Sequence, residues 1–215
     1  MSIFAYTDET FGQWSTNTAT MLNEGVTECS KSITNLADTL VGSGWKGYAA
    51  SQNYRNIVEV QNALINFTNK FGAIFEEQMK KVGSDMNALT ESNLGGSGVT
   101  GVRVNVSFNI IQNAEDLADN IAKETEYYDT GAIATAITEI NTVKTKAEEL
   151  KQNLITEFEK LDSGAKIFDG TRAAGTKEAL KEGLNVNMEE FFKALDLCST
   201  NLKTAAENAQ RILGN

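Results

Sequence analysis

The chain of 215 residues contains no histidine and no proline. Without histidine, Cys–His catalysis and histidine-containing zinc sites are excluded. Proline breaks helix interiors and favours turns, so its absence suits a few long helices joined by few turns. Only two cysteines occur, too few for a good metal site. Basic residues are scarce: 19 Lys and Arg stand against 29 Asp and Glu, for a formal net charge of −10. That balance argues against a nucleic-acid partner, which needs clustered Lys and Arg, and against an anionic membrane surface. The apolar fraction of 41 % is modest but sufficient for the core of a helical protein. No apolar run reaches the roughly 18 residues that would read as a membrane-spanning helix, so no stable membrane span is expected. The first residues, Met1 to Asp8, lack the basic region and apolar stretch of a signal peptide. The expectation is a chain made in the cytoplasm that leaves the cell, if it does, by a leaderless route.

What is present is organised around Gly42-Ser43-Gly44-Trp45-Lys46-Gly47. Ahead of it, Phe11, Trp14, Thr18, Met21, Leu22, Val26, Cys29, Ile33, Leu36 and Leu40 recur at steps of three and four. Behind it, Ile57, Val58, Leu64, Ile65, Phe67, Phe71, Ile74, Phe75, Met79, Val82, Met86 and Leu89 do the same. Both patterns predict amphipathic helices, over about 8–41 and 48–91. Glycines between them end the first helix and let the backbone reverse. The stretch reads as the elbow of a long helical hairpin, with Trp45 wedged between the helix ends.

A second elbow follows the same plan. Phe168-Asp169-Gly170 takes the place of Trp45-Lys46-Gly47, and Tyr128-Asp129-Thr130 that of Tyr6-Thr7-Asp8. Tyr6 precedes Trp45 by 39 positions and Tyr128 precedes Phe168 by 40, a spacing that points to internal duplication. Helical patterns cover about 130–163, through Ile133, Ile137, Ile140, Val143, Leu150, Leu154 and Phe158. They resume over about 172–213, through Leu180, Leu184, Met188, Phe191, Leu195, Cys198, Leu202 and Ile212.

Three regions follow: a first hairpin over 1–91, a connector over 92–127 and a second hairpin over 128–215. In the connector, Gly95 to Gly101 is a flexible linker by composition. Val102 to Phe108 alternates apolar and polar, predicting a short strand without an obvious second strand. Residues about 109–127 return to a helical pattern. A connector of this length can travel the length of a bundle, which favours hairpins packed antiparallel. The expected fold is all-α: an elongated antiparallel four-helix bundle of two fused hairpins, with an extra connector helix.

Two long helices joined at Trp-x-Gly, in a unit of about a hundred residues, resemble the WXG family, the early-secreted-antigen-like proteins of type VII secretion. Trp45-Lys46-Gly47 carries the resemblance; Phe168-Asp169-Gly170 is a degenerate second elbow. Family members pair as hairpin dimers, and this chain is similar to such a dimer fused into one polypeptide. The resemblance implies a non-enzymatic exported substrate, chaperone or adaptor acting through helix–helix contacts. It implies type VII export machinery or a helical protein as partner, with Trp45 and Gly47 as the secretion motif. One feature departs from the family: no Tyr-x-x-x-Asp/Glu occurs after a second helix. Phe192 to Asp196 has that spacing, with Phe in place of Tyr, but lies inside a helical pattern. A different reading of the same helices is an α-helical pore-forming or membrane-active protein stored as a soluble bundle, although no hairpin is apolar enough to insert unaided.

Other motifs read as structure. Gly96-Ser97-Gly98-Val99-Thr100-Gly101 matches G-x-G-x-x-G, but a helix precedes it and a strand-like run follows, the reverse of a dinucleotide site. Cys29 and Cys198 fall on apolar faces and read as separate buried thiols, with a disulfide as the alternative if their heights in the bundle coincide. Glu148, Glu149, Glu157, Glu159, Glu189 and Glu190 read as solvated helix faces, with Glu189 and Lys193 an i, i+4 pair. No catalytic, cofactor-binding or metal-binding residue is assigned, and no cofactor is expected. Further oligomerisation remains open to the chain.

Overall fold

A computed structural model describes residues 8–91, 102–161 and 171–213. The protein is all-α, and the described residues form four long helices and one short one: α1 (Asp8–Gly42), α2 (Tyr48–Glu91), α3 (Ala114–Lys123), α4 (Thr130–Glu159) and α5 (Thr171–Leu213). The long helices follow the apolar steps, and with no proline nothing interrupts them. Two differences from the sequence reading stand out. The connector helix has 10 residues, not about 19, because Ile110 and Ile111 lie in extended chain before it. The Val102–Phe108 run forms no strand, and the described residues contain only one isolated bridge pair.

The residues gather into two compact units, each drawing on both hairpins. Unit 1 takes Met1–Gly25, Phe67–Val106 and Glu149–Met188. It holds the start of α1, the end of α2, the end of α4 and the start of α5. Its centre is aromatic. Phe71 stacks on Phe67 at 5.8 Å between ring centroids and lies 6.5 Å from Phe75 and 6.2 Å from Phe158. Trp14 is buried, as its place on the apolar stripe predicts, and its indole N–H donates to the Glu157 carbonyl at 3.1 Å. Where α1 meets α4, a Cβ at Gly25 would stand 2.5 Å from a Leu150 methyl, so a larger residue there would require the Leu150 side chain to shift.

Unit 2 takes Val26–Asn66, Ser107–Glu148 and Glu189–Asn215. Here α1 ends and α2 begins at the first elbow, α4 starts and α5 finishes. Within this unit the turn between α1 and α2 therefore packs with the start of α4 and the end of α5. Ile33, Leu36, Leu40, Ile57, Leu64, Ile140, Phe191 and Leu202 are fully buried in this unit.

The extended chain after residue 102 keeps its period of two, with Val102, Val104, Val106 and Phe108 half-buried and the residues between them exposed. Helix side chains satisfy its backbone in place of a second strand. In unit 1 the Val104 N–H donates to Glu76 Oε1 at 2.7 Å. In unit 2 the Asn109 N–H donates to Ser30 Oγ at 3.0 Å, and its carbonyl accepts from Gln61 Nε2 at 2.7 Å. Gln61 Oε1 then accepts the Ile111 N–H at 3.1 Å, so one buried amide plays the part of a strand edge. Asn113 ends the segment with φ 53, a left-handed conformation asparagine tolerates, and α3 begins.

Candidate functional site

The first elbow is the most fully built feature of unit 2. Helix α1 ends at Gly42, where Ser43 Oγ donates to the Leu40 carbonyl at 2.7 Å and accepts the Trp45 N–H at 3.1 Å. Trp45 then turns inward and is 1 % exposed. Its ring stacks on Tyr128 with centroids 6.4 Å apart and planes 29° apart. Its indole N–H is buried with no hydrogen-bond partner among the described residues.

The next three residues are held by the connector. Lys46 and Tyr127 exchange both backbone hydrogen bonds, at 2.9 and 3.2 Å, forming the isolated antiparallel bridge. The Gly47 N–H donates to the Ile121 carbonyl at 3.1 Å. Gly47 has φ 94, where an L side chain is strained, and a Cβ there would lie 2.8 Å from the Glu126 Cα. The glycine of Trp-x-Gly is thus required twice, by its backbone angle and by the close approach of another segment.

Helix α2 starts at Tyr48 with its first N–H groups free of intrahelical partners. Glu126 supplies them from elsewhere in the chain: one carboxylate oxygen accepts from Tyr48 N–H at 2.9 Å, the other from Ala49 N–H at 3.2 Å. Negative charge at a helix N-terminus also meets the positive end of the helix dipole. Asp129 works in two directions. It caps α4 by accepting the Ala132 N–H at 2.9 Å, and its other oxygen accepts the Gly44 N–H at 3.3 Å. Burial pushes the Tyr128 phenol up from its ordinary value, and the nearby Glu126 charge adds to the shift. Outside the elbow, Lys46 pairs with Glu124 at 3.6 Å, while Arg55 of α2 pairs with Asp119 of α3 at 2.6 Å. Replacing Glu126 with Ala is expected to cost about 1 kcal/mol, the worth of a helix cap. Hydrogen exchange at Tyr48 and Ala49 should speed up while the middle of α2 stays protected; unchanged exchange would show that the carboxylate does not cap the helix.

Of the sequence-predicted site residues, Trp45 and Gly47 come together here. Phe168 and Gly170, of the second elbow, lie outside the described residues, as does the Gly96–Gly101 motif. Glu126 escaped the sequence reading, and Tyr128 entered it only as a counterpart of Tyr6, because capping and stacking from a distant segment leave no local pattern. Asp129 did carry a signal, an Asp directly before a helical run.

Cys29 and Cys198 are both free and fully buried, so the separate-thiol reading holds and the disulfide alternative does not. Burial pushes each thiol up to about 12. Folded protein should therefore resist iodoacetamide at pH 8 and react at both positions once unfolded in urea. Because the folded state holds these protons more tightly than the unfolded one, stability should fall as pH rises above about 9 toward 12. Rapid alkylation of the folded chain at pH 8 would contradict this account. Glu148, Glu149, Glu159, Glu189 and Glu190 are exposed as expected, whereas the Glu157 side chain is only 16 % exposed and pairs with Lys160; Glu159 pairs with Lys177 at 3.4 Å and Lys181 at 2.6 Å, and Glu189 with Lys193 at 2.6 Å, the last as predicted. Hydrogen bonding to Lys181 is the main reason the Glu159 carboxyl lies below its ordinary range. Among the described residues no group of His, Cys, Asp or Glu is placed to hold a metal ion, and no helix is long and apolar enough to cross a membrane.

No family model, curated protein or solved structure matches the chain. What the fold and the elbow define is a class, an all-α helical bundle in which one Trp-x-Gly turn joins two helices of 35 and 44 residues.

Proposed function

We propose that this is a non-enzymatic, type VII secretion-associated protein, acting as exported substrate, chaperone or adaptor through helix–helix contacts. One observation carries the reading: both residues that define the Trp-x-Gly motif are needed to make the turn. Trp45 fills the space beneath it, and Gly47 adopts the angle and leaves the room that another residue would not. The motif is therefore a structural unit between two long helices and not a chance triplet. On this reading α4 and α5, within the same chain, take the part that the resemblance gives to a separate partner. This reading assigns the protein to the outside of the cell or its surface, reached by a type VII route.

The test is fractionation of the producing organism, wild type against a strain lacking the export ATPase. The reading predicts protein in the culture medium or at the cell surface, and its retention inside when the ATPase is gone. Retention of wild type in the cytoplasm of a strain that actively secretes other type VII substrates would limit the resemblance to fold.

A further inference from the structure

We infer that the groove between α2 and α5 in unit 2 takes an extended, basic peptide segment of a partner protein and holds its backbone with the asparagines of α2. The inference stands apart from the type VII reading and survives its failure. The groove has a volume of about 300 Å³. Small side chains line it, Ala63 from α2 and Ala194 and Cys198 from α5, and beside them lies Leu197, 58 % exposed. The α2 wall carries Asn56, Asn62 and Asn66. Asparagine is a weaker helix former than Ala, Glu, Lys or Gln, so three of them within about three turns do not serve the helix. Nor do they tie it to its neighbours. The Asn53 amide donates to the Ala49 carbonyl at 2.9 Å, whereas the amides of these three have no hydrogen-bond partner among the described residues.

Another side of the same helix shows what such amides do. There Gln61 donates to the Asn109 carbonyl at 2.7 Å and accepts the Ile111 N–H at 3.1 Å, so one amide holds two alternate residues of an extended segment. The asparagines present the same groups to the groove. Asn62 and Asn66 stand four residues apart, about 6 Å along the helix. Two residues of extended chain span about 6.6 Å, so the two amides meet the backbone of alternate residues. Alternate side chains then turn down onto Ala63, Ala194 and Cys198, and those between turn to water. A docked helix would need apolar anchors over i to i+7, roughly 10 Å, and Ala194 to Cys198 covers about 6 Å. The charge of the occupant follows from the same lining. Glu59 and Glu190 belong to it and no Lys or Arg does. Glu59 has no partner among the described residues, since Arg55, one turn earlier, pairs with Glu115 and Asp119. A lysine or arginine of the bound segment pairs with Glu59, on a chain whose net charge of −10 favours a basic partner.

The experiment screens the full chain against an array of capped heptapeptides of random sequence and measures the best binder by titration calorimetry at low and high salt. The peptides selected should alternate apolar and polar residues and carry Lys or Arg. Replacing single peptide N–H groups with N-methyl should weaken binding about tenfold at alternate positions and little between them. The Asn62→Ala, Asn66→Ala double variant should weaken it about tenfold or more, while its thermal midpoint holds or rises, because alanine favours helix. Glu59→Gln should weaken binding about threefold and remove most of its salt dependence. Selection of peptides with apolar residues at helical spacing, wild-type affinity in the double variant, or no peptide bound more tightly than about 1 mM overturns the extended-peptide site. Equal selection of acidic and basic peptides overturns the basic occupant.

Discussion

Replacing Trp45 with alanine is expected to destabilise the protein by about 3–5 kcal/mol, the usual cost of emptying a large aromatic site in a core. The ring is 1 % exposed and stacks on Tyr128, so its loss opens a cavity between the α1–α2 turn and the start of α4. The turn cannot easily collapse to fill it. Its backbone is pinned by the Lys46–Tyr127 bridge and by Glu126 on the first turn of α2. Trp45→Phe should cost much less, because it keeps most of the ring and removes an indole N–H that has no partner to lose. Urea unfolding followed by circular dichroism measures both. A cost below about 1 kcal/mol for the alanine variant would mean the ring is not part of the core. This prediction also governs how secretion experiments are read. A Trp45→Ala chain retained inside the cell is as easily explained by unfolding as by a lost signal.

Phe71→Ala should be comparably damaging in unit 1, at about 3–5 kcal/mol. Phe71 is fully buried and is the one ring in contact with Phe67, Phe75 and Phe158 among the described aromatic pairs. Ring pairs of this geometry add about 0.5–1.5 kcal/mol beyond area burial, so alanine removes packing and orientation together. Phe71→Leu, which refills most of the volume, should recover roughly half of the loss. Urea unfolding of the pair separates cavity from ring chemistry. Equal losses for Ala and Leu would show that the aromatic contacts, and not the filled space, hold this region.

The long helices were legible because their apolar residues recur at steps of three and four over many turns without proline. Phe11, Ile33, Leu64 and Leu184 all arrive in the core where the steps place them. The site was legible only in part. Trp45 and Gly47 announce a turn by their chemistry, but the residues that close it come from 121–129. A carboxylate that caps a helix about eighty positions earlier in the chain obeys no local rule. The Val102–Phe108 run shows the limit in the other direction. Its alternation is physical, since alternate side chains do turn toward the helices, but a strand needs a ladder and this segment has none. Buried polar residues on otherwise apolar faces were the available clue. Ser30 and Gln61 sit where the helical steps call for apolar side chains, and both spend their hydrogen bonds on Asn109. The connector helix was read too long for the same reason: Ile110 and Ile111 fit a helical step and an extended segment equally well.

The first elbow is closed by its own connector, and amide hydrogen exchange tests that most directly. If the bridge and the Glu126 cap exist, the N–H groups of Lys46, Gly47, Tyr48, Ala49 and Tyr127 exchange far more slowly than free backbone, as helix interiors do. If those five amides exchange at the rate of an unstructured chain while α1 and α2 stay protected, the elbow is open and the burial of Trp45 beneath it is wrong.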